Sequence, residues 1–575
     1  MKNIRIVYLL LAAALLPEIL LAQVEKRVEV SKTYIPNVEH ATKLTLHPDM
    51  TDTVKIHPDI DYTVTPLAFS TSLSVRPMRP ATVTYWEFNR PKPLYLKVGA
   101  GYPLNSVLDF YASTQNAGTG YVVGSINHEG SYANIRNEAD EKHNSTQMYN
   151  RIGVAAGYYL GRRTIEMDMS YDNRLLHRYG AFAAEDQLMV GDRIDYGQAN
   201  VRVRFGDDFT DMKRFNFNIE ANGSYFYDNS QALLPIDDRQ INGGVHAKLG
   251  RHIGRHTLLL QGGFDGIWGK GDLSSYRNQR YDIGLRYAFT TRTAALEFGL
   301  DYHHSRIIEL NENKHNYNYI LPYAKIHFDL GKGILMPYIE FDGNVRDNSF
   351  CTLTHTNPYI VGGLTLPKNT VAYNLTFGAD GKLFDSRLVY RLFLRMTWME
   401  NAPYWFGTNA IDPETEFPTV NFLQFSAIQA RRNQVSFNGE IEWKPAGNFS
   451  MMIGVYGSIY DNTASMNGIL LGGGLPVFRG ILKADYTHRK FSIGLSAEMK
   501  SVRHWTNVLV NGTETTLLPY KTPITVDLRA HIDWHISHTV TVFTEGRNLV
   551  NQRLYTWANY PELGANFTAG VKLTF

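Results

Sequence analysis

The stretch Arg387-Leu388-Val389-Tyr390-Arg391-Leu392-Phe393-Leu394-Arg395-Met396-Thr397-Trp398 alternates with a period of two. Leu388, Tyr390, Leu392, Leu394, Met396 and Trp398 fall on one face of an extended strand. Arg387, Arg391, Arg395 and Thr397 fall on the other. A soluble sheet turns such an apolar face inward and leaves the arginines in water. A membrane barrel reverses this, with apolar side chains toward lipid and polar ones toward a wet lumen. One strand fits either description.

The series of strands chooses between them. Ala294, Leu296, Phe298, Leu300 and Tyr302 alternate with Thr293, Glu297, Asp301 and His303. Val435, Phe437, Gly439, Ile441 and Trp443 alternate with Gln434, Ser436, Asn438, Glu440 and Glu442. Val526, Leu528, Ala530, Ile532 and Trp534 alternate with Asp527, Arg529, His531 and Asp533. These runs match the roughly 9–11 residues that a tilted strand needs to cross a bilayer. Strands in soluble domains average only about five or six residues.

The connections agree. Tight turns are predicted at 160–163, 252–255, 290–291, 330–333, 445–448 and 535–538, with longer loops near 131–145, 175–190, 228–238, 348–368, 400–426, 504–520 and 550–564. Short turns alternating with long loops is the asymmetry of an outer-membrane barrel, the short ones periplasmic. Counting strands from Leu94–Tyr102 to Asn566–Phe575 gives about 22. The even count puts both termini in the periplasm. The ring has to close, because lipid offers no hydrogen bonds to an open sheet edge. Trp398, Trp443 and Trp534 fall at strand ends, where an amphipathic ring suits the membrane interface.

Upstream, Lys2 and Arg5 precede an apolar core from Ile6 to Leu16, and Leu20-Leu21-Ala22 offers a small-residue cleavage site. Residues 1–22 read as a signal peptide. Residues 23–93 hold eight of the 23 prolines, a density that excludes long helices and central strands. This reads as an extended periplasmic or lumenal segment that needs a partner surface. Its near-repeat, Leu46-His47-Pro48-Asp49-Met50 and Ile56-His57-Pro58-Asp59-Ile60, is better explained by two similar turns than by a metal site on His47, Asp49, His57 and Asp59. The barrel occupies 94–575.

The chain ends Asn566-Phe567-Thr568-Ala569-Gly570-Val571-Lys572-Leu573-Thr574-Phe575. Thr568, Gly570, Leu573 and Phe575 resemble the outer-membrane β-assembly signal, a final strand added by edge pairing to the assembly machinery. Just upstream, Glu545-Gly546-Arg547-Asn548-Leu549-Val550-Asn551-Gln552, with Tyr555, Pro561 and Gly564, resembles the closing hairpin of TonB-dependent receptors. The resemblance covers 94–575 and implies their barrel and their outer-membrane location in a diderm bacterium. It departs from the family at the other end, since 23–93 is too short and proline-rich for a plug domain, and Val28-Glu29-Val30-Ser31 is a feeble echo of the TonB box.

Chemical motifs are sparse. There is no nucleophile elbow, no phosphate loop and no His-Glu-x-x-His helix, so neither enzyme, cofactor nor resident metal is expected. The glycine-rich run Gly262–Gly271 looks phosphate-friendly but lacks the P-loop spacing. Asp301, His303 and His304 near the predicted rim are polar residues of the kind any wet lumen carries. With 57 Lys and Arg against 55 Asp and Glu, the net charge of +2 gives no basic face for nucleic acid. One cysteine, Cys351, excludes an intramolecular disulfide.

The lumen-facing charges are the remaining candidates. Arg387, Arg391 and Arg395 form a basic ladder; Asp527, Arg529 and Asp533 form a mixed one. They either select a solute or a partner loop, or pair with one another and hold the shape of a wide barrel. Two functions are carried forward: transport across the outer membrane, and a non-transporting scaffold within an outer-membrane assembly or secretion complex. The partners expected are outer-membrane lipid, the assembly machinery during biogenesis and, through 23–93, other envelope proteins.

Overall fold

In the computed structural model the described residues are 92–114, 118–138, 140, 142–180, 193–209, 211–231, 237–411, 418–462, 465–466, 469–470, 473–511 and 514–575. The signal peptide and nearly all of 23–93 lie outside them. From Leu94 onward the alternating runs form twenty-two antiparallel strands. They are β1 (Leu94–Tyr102), β2 (Asn105–Ser113), β3 (Gly120–Ser131), β4 (Gln147–Leu160), β5 (Arg163–His177), β6 (Arg193–Asp207), β7 (Asn216–Asp228) and β8 (Asp238–Ile253). Then follow β9 (His256–Gly271), β10 (Arg277–Thr290), β11 (Ala294–Ile308), β12 (Lys314–Phe328), β13 (Met336–Arg346), β14 (Thr370–Leu383) and β15 (Leu388–Ile411). The ring is completed by β16 (Pro418–Ala446), β17 (Phe449–Asn462), β18 (Phe478–Thr487), β19 (Phe491–Lys500), β20 (Thr525–His535), β21 (Val540–Arg547) and β22 (Asn566–Thr574).

Each strand pairs with its neighbours, and β1 pairs with both β2 and β22, from Tyr95↔Thr574 to Tyr102↔Phe567. The sheet therefore has no free edge, as a transmembrane β-barrel requires. Apolar side chains stand outward along every wall: Ile152 is 53% exposed, Ile283 57% and Ile320 58%. The tryptophans Trp398, Trp443 and Trp534 are exposed on the same outer face.

The two ends of the barrel differ. One carries the short connections 161–162, 254–255, 291–293, 447–448 and 536–539, together with Lys92 and Phe575. This is the turn end, and there the Lys92 ammonium donates to the Thr574 carbonyl at 2.9 Å. The other, the loop end, holds the long connections, among them 347–369 with the helix α1 (Phe350–Thr356) and 501–524 with a hairpin of Arg503–Asn511 and Glu514–Thr522.

One predicted loop is instead wall. Much of 400–426 continues the β15–β16 ladder, leaving only 412–417 between the strands. The register shifts between Met399 and Ala402, where Asn401 has a φ of 56°. That phase slip breaks the two-residue pattern read from the sequence. Beyond it, Ala402, Tyr404 and Phe406 bury against Val508 of the 501–524 hairpin, so they face protein rather than lipid.

Candidate functional site: a charge-paired lumen and an aromatic lid

The closing seam sets up the first part of the lumen. Gly99 on β1 is directly opposite Gly570 on β22, and the fully buried Phe543 of β21 lies across both. Lys97 and Lys572 flank that ring, their ammonium groups 4.6 and 5.2 Å from its centre. Lys97 pairs with Glu545 at 2.7 Å, and Lys572 with Asp533 at 2.7 Å. Strong cation–carboxylate pairs thus surround an aromatic packed on two glycines, and all of it faces inward. Thr568 also faces the lumen and donates to Asn105 at 2.8 Å, while Leu573 pairs in register with Leu96 and Val540.

Of the other predicted lumenal charges, Arg391, Arg395, Asp527 and Arg529 have side-chain partners. Arg391 reaches Asp380 at 3.3 Å and Glu440 at 3.7 Å from strands on either side. Arg395 donates to the Thr376 hydroxyl at 3.0 Å. Arg387 lies in the turn before β15, where its carbonyl accepts from the Lys444 amide at 2.6 Å. Asp527 and Arg529 pair with each other at 2.5 Å. Around the ring, Arg204–Glu166 and Arg202–Asp168, each 2.6 Å, and Lys325–Glu340, 3.2 Å, repeat the pattern. The wall is polar and charge-compensated, which suits a water-filled interior better than a filter of one sign.

Sequence reasoning missed a denser network on β8–β11. His246 lies 3.0 Å from one oxygen of Asp265, Arg280 bonds the other, and Arg286 and Gln261 both bond Asp301. Donor atoms of His246, Asp265 and Asp282 fall within 4.8 Å of one another. The Asp265 carboxylate is already neutralised by its two partners, so the trio reads as a structural knot. His303 is on the lumenal face with Asp301, but His304 is on the outer face, 2.8 Å from Asn318. The run Gly262–Gly271 lies wholly within β9, with no helix after it.

The second part of the site closes the loop end. Tyr560, from the loop before β22, stacks on Tyr359 at 3.9 Å and packs on Tyr179 at 5.1 Å and Phe425 at 6.1 Å. Phe425 also meets Trp557 at 5.2 Å and Trp505 at 6.3 Å. On the other side, Phe350 of α1 packs edge-on against Tyr196 and Phe226. Tyr196 is on β6 and Phe425 on β16, nearly opposite walls of a twenty-two-strand ring. The aromatic cluster therefore spans the mouth.

Hydrogen bonds fix the loops to the walls and to each other. Tyr179 donates to the Pro561 carbonyl and Tyr196 to the Pro358 carbonyl, both at 2.9 Å. The Phe425 amide donates to Tyr359, and its carbonyl accepts from Val361, each at 2.9 Å. Gln240 donates to Ser349 and accepts from the Cys351 amide. Tyr555 donates to Glu138 at 2.6 Å, and Asn507 to Asn559 at 2.9 Å. Burying each such aromatic contributes about 1.5–3 kcal/mol, enough for the loops to form a lid rather than a fringe. Burial pushes the Tyr359 hydroxyl and the Cys351 thiol up to about 12 and the Tyr560 hydroxyl well above its ordinary value, so these groups stay neutral near pH 7.

No family model matches the chain, and no curated protein matches it. Solved structures do. The ferripyoverdine receptor of the outer membrane of Pseudomonas aeruginosa aligns with a TM-score of 0.62 at 12% identity, over 84% of this chain and 72% of that one. The copper transporter OprC aligns at 0.63 and 12%, over 84% and 82%. The FrpB iron transporter from Neisseria meningitidis aligns at 0.62 and 12%, over 85% and 82%. These neighbours are TonB-dependent receptors, and at such identities the likeness shows a shared fold: their 22-strand barrel.

Proposed function

We propose that the protein acts in transport across the outer membrane of a diderm bacterium, as a barrel whose polar lumen is gated by the aromatic lid. The turn end and both termini face the periplasm, and the lid faces outward. The observation that carries the reading is the combination of a charge-paired interior with a lid built from separate loops. Transport by the neighbours in this fold supports the same reading. We assign residues 23–93 to binding in the lumen or to envelope partners, and Thr568, Gly570, Leu573 and Phe575 to the assembly signal.

Planar-bilayer conductance tests the gate. The wild-type barrel is expected to be nearly silent, and Phe425→Ala/Tyr560→Ala, which removes the centre of the lid, to open channels at least about tenfold more often. Equal conductance of the two would overturn the gate. If both stay silent and the barrel co-purifies stoichiometrically with other envelope proteins, the scaffold function replaces transport.

A further inference from the structure

Outside the barrel, the loop-end rim of β8–β12 carries a cluster of cations that the lumen does not use. Ile241, Trp268, Arg277, Ile308 and Lys314 are successive directly opposed residues across these five strands, so their side chains share the outer face. Arg239 and Lys270 form the next outward pair, about 7 Å nearer the loop end. Arg306 stands one outward position below Ile308. Arg239 pairs with Asp237 at 2.5 Å, and Glu309 is taken by His315 at 3.0 Å. Among the described residues Lys270, Arg277, Arg306 and Lys314 have no carboxylate within ion-pair distance, and all four are exposed. By contrast, Arg431 on the outer face of β16 is matched with Glu400 at 3.7 Å.

The patch sits at a defined depth. Two outward positions below Trp268 and Arg277, and one below Arg306, runs an outward aromatic row: Phe264 lies 6.3 Å from Trp268 and 4.9 Å from Tyr281, and Tyr281 lies 6.4 Å from His304. Below that the face is aliphatic, with Ile283 and Leu300 each half or more exposed. Aromatics of this kind mark the boundary between hydrocarbon and headgroups. The cations stand one to three outward positions above them, where long Lys and Arg side chains reach the level of lipid phosphates. The surface is also shaped there: a cavity of about 210 Å³ is lined by Ile241, Trp268, Gly269, Lys270, Ser274 and Arg277. Ile241 and Trp268 give it an apolar side, and Lys270 and Arg277 a cationic one. The glycine-rich run Gly262–Gly271 thus carries a cation on a strand, Lys270, rather than a phosphate loop.

We propose that this face binds a phosphate-bearing glycolipid of the outer leaflet, of the lipid A type. The inference rests on the barrel spanning the outer membrane with its loop end outward. Width decides the class: Lys270, Arg277, Arg306 and Lys314 stand on four adjacent strands and spread over about 14 Å, wider than one glycerophospholipid headgroup and suited to a lipid with two phosphates and several chains. The Lys and Arg side chains hold the phosphates by charge-assisted hydrogen bonds, and Trp268 and Ile241 seat the uppermost methylenes.

The test titrates the full detergent-extracted barrel with bisphosphorylated lipid A, its dephosphorylated form, and phosphatidylglycerol, counting bound lipid by native mass spectrometry. Lipid A is expected to stay bound, with the other two at least about tenfold weaker. Lys270→Gln/Arg277→Gln/Arg306→Gln/Lys314→Gln should lose lipid A by a similar factor while keeping its heat-dependent gel mobility. Should that variant misfold, Lys270→Arg/Arg277→Lys/Arg306→Lys/Lys314→Arg, with the charge conserved, should still bind lipid A and not its dephosphorylated form. Equal retention by the Gln variant, equal binding of dephosphorylated lipid, or phosphatidylglycerol bound as well as lipid A would each overturn the proposal. The readout does not depend on conductance, so a barrel that fails as a transporter still gives an answer here.

Discussion

Closure of the ring at Gly570 offers the sharpest physical test of the fold. A methyl group added there would lie 2.0 Å from the Val98 carbonyl oxygen and 2.8 Å from the Phe543 ring, and the nearest contact must open to at least 3.0 Å. The obstructing atom is backbone, so β1 and β22 have to separate by about 1 Å at the middle of their pairing. Overpacking of this kind costs about 1–3 kcal/mol. Weakening the two adjacent ladder hydrogen bonds adds about 0.5–1.5 kcal/mol each. Gly570→Ala is therefore expected to destabilise the barrel by about 2–6 kcal/mol. Gly124 and Gly457 are the controls, because a methyl group at either meets nothing within 4 Å. Alanine at those positions should change stability by less than about 1 kcal/mol, with a gain from reduced unfolded-chain entropy. Urea titration of the refolded barrels, followed by gel mobility and tryptophan fluorescence, measures all three. A Gly570→Ala midpoint equal to that of Gly124→Ala would refute the seam as the point where closure is most constrained.

Further outcomes follow from the site. Lys572→Met strips its partner from Asp533, which is only 17% exposed, and should cost about 1–3 kcal/mol; Lys572→Met/Asp533→Asn should recover most of it. Arg391→Ala, at a residue 44% exposed, should cost under about 1 kcal/mol by the same urea assay. Cys351 should react with a maleimide at pH 8 at least about a hundredfold more slowly in the folded barrel than in urea, since burial holds it as the neutral thiol. Phe425→Ala/Tyr560→Ala should speed that labelling, and equal rates would mean the lid does not bury the thiol. Because the folded thiol's pKa is raised, its contribution to lid stability is complete below the unfolded value and falls as pH climbs past about 8.5. Labelling should accelerate there beyond the thiolate effect seen in urea.

Much of the barrel was legible in the sequence. The turns at 160–163, 252–255 and 445–448 lie at one end because a tight turn is a local device, written in a few adjacent residues. The outward face of β15 was legible because a strand's two faces alternate residue by residue. The 400–426 segment was misread as loop for a related reason: past Asn401 its register slips, and its apolar side chains answer to Val508 on a hairpin far along the chain. The ladders could be listed from the sequence, yet not their partners. Arg391 lies between Asp380 and Glu440 on two neighbouring strands, and only strand pairing brings those three together.

The lid is the extreme case. Nothing near Tyr560 in the chain marks it as the meeting point of Tyr179, Tyr359 and Phe425, because those contacts join loops and walls from opposite sides of the ring. By itself the sequence determined that strands cross a membrane and which of their faces meets lipid, since hydrocarbon acts on every second residue independently. The tertiary structure decided what fills the mouth, which charges neutralise which, and where unpaired cations gather on the rim. Those depend on the order and stagger of strands around a closed cylinder, and local periodicity carries no record of either.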